Sequence, residues 1–205
     1  MKGQFFPYYD TEPRKKFPVV TVVLILINVV VFLISLLDFE NIINNFGFIP
    51  AQASIITIFT SMFLHGGWDH IFGNMWYLWI FGDNVEDYFG KIKYTLLYFL
   101  SGIGATFFDW LSNTTSTVPS IGASGAISGV LGAYLVLYPK AGVVVSGGGR
   151  LPAYFVIGFW FVLQLIFGAV SLVGETGSGI AFWAHVGGFI VGAAITLIYK
   201  KLKLK

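Results

Sequence analysis

The sequence predicts an all-α, polytopic membrane protein, a bundle of six transmembrane helices, and three observations carry that reading. Of 205 residues 56% are apolar and only 11% charged, with a mean hydropathy of +0.79, whereas a soluble protein carries about 25% charged residues. The apolar excess falls into six runs, of which the first, fifth and sixth come near the ~20 residues that a helix rising about 1.5 Å per residue needs to cross a core of roughly 30 Å. All 12 Lys and Arg residues lie in alternate segments between those runs.

The first run, Val19 to Leu37, is uncharged. It is too long for a signal-peptide core, lacks an Ala-x-Ala exit and reads as an uncleaved signal anchor. The others extend from about Trp68 to Gly82, Tyr94 to about Phe108, Ser124 to Tyr138, Pro152 to about Leu172, and Ile180 to Tyr199. None alternates apolar with polar residues, so helices rather than barrel strands are expected. Lys2, Arg14, Lys15 and Lys16 precede the first span, Lys91 and Lys93 follow the second, Lys140 and Arg150 the fourth, and Lys200, Lys201, Lys203 and Lys205 the sixth. The positive-inside rule then places both termini in the cytosol. The chain divides into a cytosolic tail (1–18), a six-helix membrane domain (19–199) and a basic cytosolic tail (200–205). The absence of cysteine removes disulfides, thiolate metal sites and a Cys nucleophile, and a net charge of +2 gives no reason to expect nucleic acid.

Two connections are unusual. Asp38 to His65 is long and apolar but broken by Pro50, Gln52 and Ser54, so a re-entrant or interface-lying segment is expected. The fourth span, Ser124 to Tyr138, reaches only about 22 Å, so its outer end must begin inside the membrane, where irregular backbone survives only against protein or a wet cavity.

Few polar side chains fall at membrane depth, and such residues are functional candidates because an unpaired polar group in hydrocarbon is costly. They are His65, His70, Asn74, Ser124, Ser128, Gln164 and His185. Asn28 and Gln164 read as ordinary contacts between helices. Ser124 lies 14 residues before Tyr138 and His185 lies 14 before Tyr199, so both sit about 21 Å above the inner boundary. Gly122 and Gly125 flank the serine at a helix start, where free N–H groups can hold a developing negative charge. Gly125, Gly129 and Gly132 on the fourth span, with Gly188 and Gly192 on the sixth, offer small faces for a close crossing. No carboxylate accompanies the pair, so a Ser124-His185 dyad is expected, with Ser124 as nucleophile and His185 as general base. His70 and Asn74, one helical turn apart, and the Ser124 N–H offer oxyanion donors. His65 is expected to serve a structural hydrogen-bonding role.

These pieces together resemble the rhomboid family of intramembrane serine proteases: His65-x4-His70-x3-Asn74, Gly122-Ala123-Ser124-Gly125 and Ala184-His185-x2-Gly188-x3-Gly192, on the second, fourth and sixth spans. Gly82-x3-Glu86-Asp87-x2-Gly90 resembles the family's cytosolic turn after the second span. The resemblance implies a six-helix rhomboid-like bundle cleaving transmembrane segments of other membrane proteins, with no metal and no cofactor. It implies the same roles for Ser124, His185, His70 and Asn74. Its implied partners are the bilayer and single-span or other transmembrane substrates, and the expected setting is a prokaryotic plasma membrane. In some members an aromatic residue one turn after the nucleophile stacks on the catalytic imidazole. Here Ser128 stands there, leaving open what orients His185. The resemblance further implies that the fifth span and the Ser171 to Gly179 loop move to admit substrate.

Three other readings are distinguishable. A proteolytically dead relative would resist a serine-directed probe at Ser124. A channel would need paired broken helices or central charges, which the spans lack. A three-histidine metal site lacks a His-Glu-x-x-His pattern and acids beside the imidazoles.

Overall fold

A computed structural model describes residues 6–173 and 180–203. The loop glycines Gly174, Gly177 and Gly179 lie outside the described residues, as do Lys2 and Lys205. The chain is predominantly helical, and its helices follow the six apolar runs: α1 (Val19–Ser35), α4 (Trp68–Phe89), α5 (Lys91–Ser112), α6 (Ser124–Leu137), α7 (Ala153–Ser171) and α8 (Phe182–Lys203). Between the first two lie α2 (Phe39–Phe46), α3 (Ile55–Thr60) and 3-10 turns at Pro50–Gln52 and Ser61–Phe63. By length and composition α7 and α8 can each cross a bilayer, and α1 and α6 are apolar but shorter.

Several helices outrun their apolar runs. Gly82 does not end α4, because it is a packing glycine: a Cβ there would lie 2.6 Å from the Tyr94 hydroxyl. The helix continues through Glu86 and Asp87 to Phe89, so the segment read as a turn is helical. Gly90, at φ +73°, makes the break, a conformation that favours glycine, and α5 starts at the next residue.

Helix α6 is the axis of the bundle, with every residue from Gly125 to Tyr134 buried. Its neighbour α8 approaches until backbones touch: a Cβ on Gly188 would collide with the Gly125 carbonyl, and one on Gly192 with the Gly129 carbonyl. Outward faces are apolar instead, with Leu26, Val30, Leu33 and Ile34 exposed on α1, and Val162, Ile166 and Val170 on α7. A solvent of hydrocarbon suits such a surface and water does not.

A three-stranded antiparallel sheet departs from the all-helical expectation. It joins β1 (Pro7–Asp10), β2 (Gly142–Val145) and β3 (Arg150–Pro152) in the order β1-β2-β3. Four- and three-residue strands are too short to show a period-two pattern, which explains why the sequence does not announce them. The N-terminal segment is accordingly not a free tail. It runs along α4, with Trp76 Nε1 donating to the Pro7 carbonyl at 2.7 Å, Asn84 Nδ2 to Asp10 at 2.9 Å, and Arg14 pairing with Asp83 at 3.6 Å. The buried Glu86 carboxylate then accepts from the N–H groups of Val20 and Thr21, at 2.9 and 2.8 Å, and so caps α1, whose first residues have no side-chain cap.

The Asp38–His65 connection folds against the segment that precedes α6. Phe48 and Ser120 exchange backbone hydrogen bonds of 3.1 and 2.8 Å, and Gly122 N donates to the Ser61 carbonyl at 2.9 Å. Ile55 and Ile56 of α3 remain exposed, as an interface-lying segment requires.

Candidate active site

Ser124 is the first residue of α6, and its position follows from the backbone that leads into it. Gly122 has φ +126°, which L side chains rarely adopt, and a Cβ there would stand 2.8 Å from His70 Nε2. Glycine is therefore required twice over, for conformation and for space. The first-turn N–H groups of α6, Ser124's included, have no acceptor within the helix.

The close crossing of α6 and α8 brings Ser124 Oγ to 2.8 Å from His185 Nε2. The matched depths anticipated this pairing. Gly188 and Gly192 permit it, since side chains there would hold the two helices apart. Gly125 faces the other way: its Cβ would meet Ala105 of α5 at 2.5 Å. The α6 small face thus serves two neighbours rather than one.

His70 and Asn74 project from α4 into the same cavity, of about 1100 Å³, whose lining also includes Ser124, His185, Trp160 and Phe6. The Gly66 N–H donates to His70 Nδ1 at 3.2 Å. In a neutral ring this puts the hydrogen on Nε2, the nitrogen beside Gly122 and facing the serine side of the cavity. The Asn74 Nδ2 is buried and has no hydrogen-bond partner. A buried amide donor without an acceptor is costly, and it is free to meet an acceptor that enters the cavity.

His65 is fully buried, and its contact with His70 is edge-to-face at 5.0 Å between ring centroids. It supports His70 by packing. The tight turn at Gly66 and Gly67 folds the chain so that the two rings meet.

Two residues stand on the far side of His185: Gln164, which the sequence offers only as an ordinary contact between helices, and Trp160, which it does not single out. Gln164 of α7 places Oε1 2.8 Å from His185 Nδ1, and the Trp160 ring lies 5.9 Å from the imidazole. A signal existed: Gln164 is 12 residues beyond Pro152, about 18 Å above the inner boundary and within about 3 Å of the His185 level. Ser128 instead donates to the Ser124 carbonyl at 2.6 Å. Among the described residues no three His, Asp or Glu side chains converge as metal ligands.

A family model described as Rhomboid domain matches residues 52–202. Rhomboid protease AarA of Providencia stuartii is 31% identical over 153 residues, covering 68% of this chain and 54% of that protein. Rhomboid protein 1, mitochondrial, of Saccharomyces cerevisiae is 32% identical over 148 residues, covering 68% of this chain and 40% of its own length. Inactive RHOMBOID-like protein 8 of Arabidopsis thaliana is 30% identical over 133 residues, covering 65% and 35% respectively. The chain thus spans little more than half of the first relative and well under half of the other two.

Proposed function

This chain belongs to the rhomboid family, and from that premise we propose that it is an intramembrane serine endopeptidase that cleaves transmembrane segments of other membrane proteins. The observation that carries the reading is the 2.8 Å contact between Ser124 Oγ and His185 Nε2 in the lining of a cavity that also holds an unpartnered amide donor.

In the proposed reaction Ser124 Oγ attacks a peptide carbonyl carbon while its proton passes to His185 Nε2. The carbonyl oxygen gains the negative charge, held by Asn74 Nδ2, His70 Nε2 and the Ser124 N–H. Collapse expels the amine, which takes the proton from His185. A water then releases the acyl group from the serine by the same proton transfers in reverse order. Reaction inside the bundle protects the intermediate from the hydrocarbon outside and from excess water.

The same reading assigns α1, α4, α5, α6, α7 and α8 as six spans of an integral membrane protein with both ends cytosolic, in a prokaryotic plasma membrane. Alternating Lys and Arg segments and the outward apolar faces of α1 and α7 support it. The glycine and alanine around Ser124 favour substrates with small residues at the scissile bond, in a helix that unwinds readily.

The test is purified protein in liposomes with a panel of single-span substrates, products being located by mass spectrometry. Ser124→Ala and His185→Ala each abolish cleavage while retaining the wild-type elution profile. Undiminished cleavage by Ser124→Ala overturns the mechanism. A wild-type chain that neither cleaves nor reacts with a serine-directed probe belongs with the family's inactive members.

A further inference from the structure

We propose that Gln164 is a positioning residue for the base: its side-chain carbonyl holds the His185 ring in the tautomer that leaves Nε2 free to take the Ser124 proton. The inference rests on the dyad reading of the site and adds a residue from a third helix to it.

A neutral imidazole carries one N–H. For Ser124 to donate its proton, Nε2 must be the acceptor, so the hydrogen belongs on Nδ1 and needs an acceptor of its own. Gln164 Oε1, 2.8 Å away, is that acceptor. The amide cannot serve equally well with its NH2 end, which would donate to Nδ1 and force the hydrogen onto Nε2, the wrong nitrogen for attack. The orientation is set from its own helix: Gln164 Nε2 is directed at the Trp160 carbonyl one turn back, at 3.5 Å, which leaves Oε1 toward the ring. Trp160 also packs against the imidazole face, so one turn of α7 supplies both the acceptor and the wall.

The placement of Gln164 argues against a general role as helix glue. The buried residues of α7 are Ala153, Val156, Ile157, Gln164 and Gly168, so Gln164 is the polar side chain among them. A polar group on an otherwise apolar rod is retained at a cost, and the atom it meets is the one whose protonation decides whether His185 can act as base. Its function parallels the acid of a Ser-His-Asp triad in fixing the tautomer, without a charge buried at membrane depth.

The experiment compares wild type, Gln164→Leu and Gln164→Glu in proteoliposomes. It measures kcat and KM on one cleaved single-span substrate, together with 15N NMR of ring-labelled histidine, the His185 signals being assigned by their loss in His185→Ala. Wild type shows His185 protonated at Nδ1. Gln164→Leu moves a substantial fraction of the hydrogen to Nε2 and lowers kcat about 10- to 100-fold with KM nearly unchanged, while the His65 and His70 signals stay in place and report an intact fold. Gln164→Glu, which keeps an acceptor at the same reach, returns the Nδ1–H tautomer and brings kcat to within about tenfold of wild type. Wild-type protein with His185 protonated at Nε2 overturns the proposal whatever the variants do, and so does a Gln164→Leu enzyme with unchanged kcat. Unchanged kcat in Gln164→Leu leaves the dyad standing, since the dyad is tested separately by cleavage in Ser124→Ala and His185→Ala.

Discussion

The seam between α6 and α8 and the flank formed by α7 are built on opposite terms. In the seam, glycines bring backbone against backbone, and Gly188 and Gly192 have no room for even a methyl group. On α7 many large apolar residues are exposed, Gly158 has nothing within 4 Å of where its Cβ would be, and the inward polar contacts include Gln164 to His185 and the Gly168 carbonyl to Trp183 Nε1 at 3.0 Å. The two atoms proposed to exchange a proton sit on the tight side, where a shift of backbone would be resisted by close packing. The residue proposed to orient the base sits on the looser side. In that reading the site combines a reaction distance held by close packing with a tautomer set from α7.

The largest expected effect comes from breaking the seam. Gly192→Val drives a side chain into the Gly129 backbone, costs about 1–3 kcal/mol of stability or more, and lowers cleavage at least 100-fold by separating Ser124 from His185. The same substitution at Gly158 on α7 leaves melting temperature and cleavage close to wild type. Equal damage at both positions would show that the two sides do not differ as described. The measurement is thermal unfolding beside a cleavage assay for each variant.

Asn74→Ala sharpens the comparison from the α4 wall. Removing a donor that is idle in the resting state and engaged only by the developing oxyanion should lower kcat by about 10- to 1000-fold. KM and melting temperature should hardly change, because no resting hydrogen bond is lost. A raised KM with intact kcat would place Asn74 in ground-state binding instead.

The smallest effect concerns the strand beside α4. Burial is the main cause that pushes Asp10 up to about 6. A carboxyl raised on folding binds its proton more tightly in the folded state, so its contribution is full below about pH 4 and declines as pH rises through about 6. Docking of β1 should be weaker at pH 8 than at pH 5, seen as faster hydrogen exchange of residues 8–10 after correction for intrinsic rates. Asp10→Asn should flatten that dependence, and a strand more protected at pH 8 would contradict it.

Much of the site was legible because it depends on quantities that one helix fixes alone. Residue counts gave the depths of Ser124 and His185, and one-turn spacing put His70 and Asn74 on a common face. Other features depend on how helices are rotated about their axes. Gln164 was at the right depth, but only the packed bundle shows that α7 turns it toward His185 rather than toward another neighbour. His65 lay beside the site in sequence, yet only the fold shows its ring edge-on to His70. The apolar run stops at about Gly82, and only the tertiary structure shows Tyr94 packed against that glycine and the helix continuing to Phe89.

The sequence by itself determined the helices, their order and the depth of the principal polar groups, because solvation by hydrocarbon acts on each segment independently and makes apolar length readable. The tertiary structure decided which faces meet, which glycines are contact points, how the N-terminal strand closes along α4, and which group stands against His185 Nδ1. Those outcomes arise from side-chain and backbone fit between segments distant in the chain, and no local pattern encodes the rotation that brings them together.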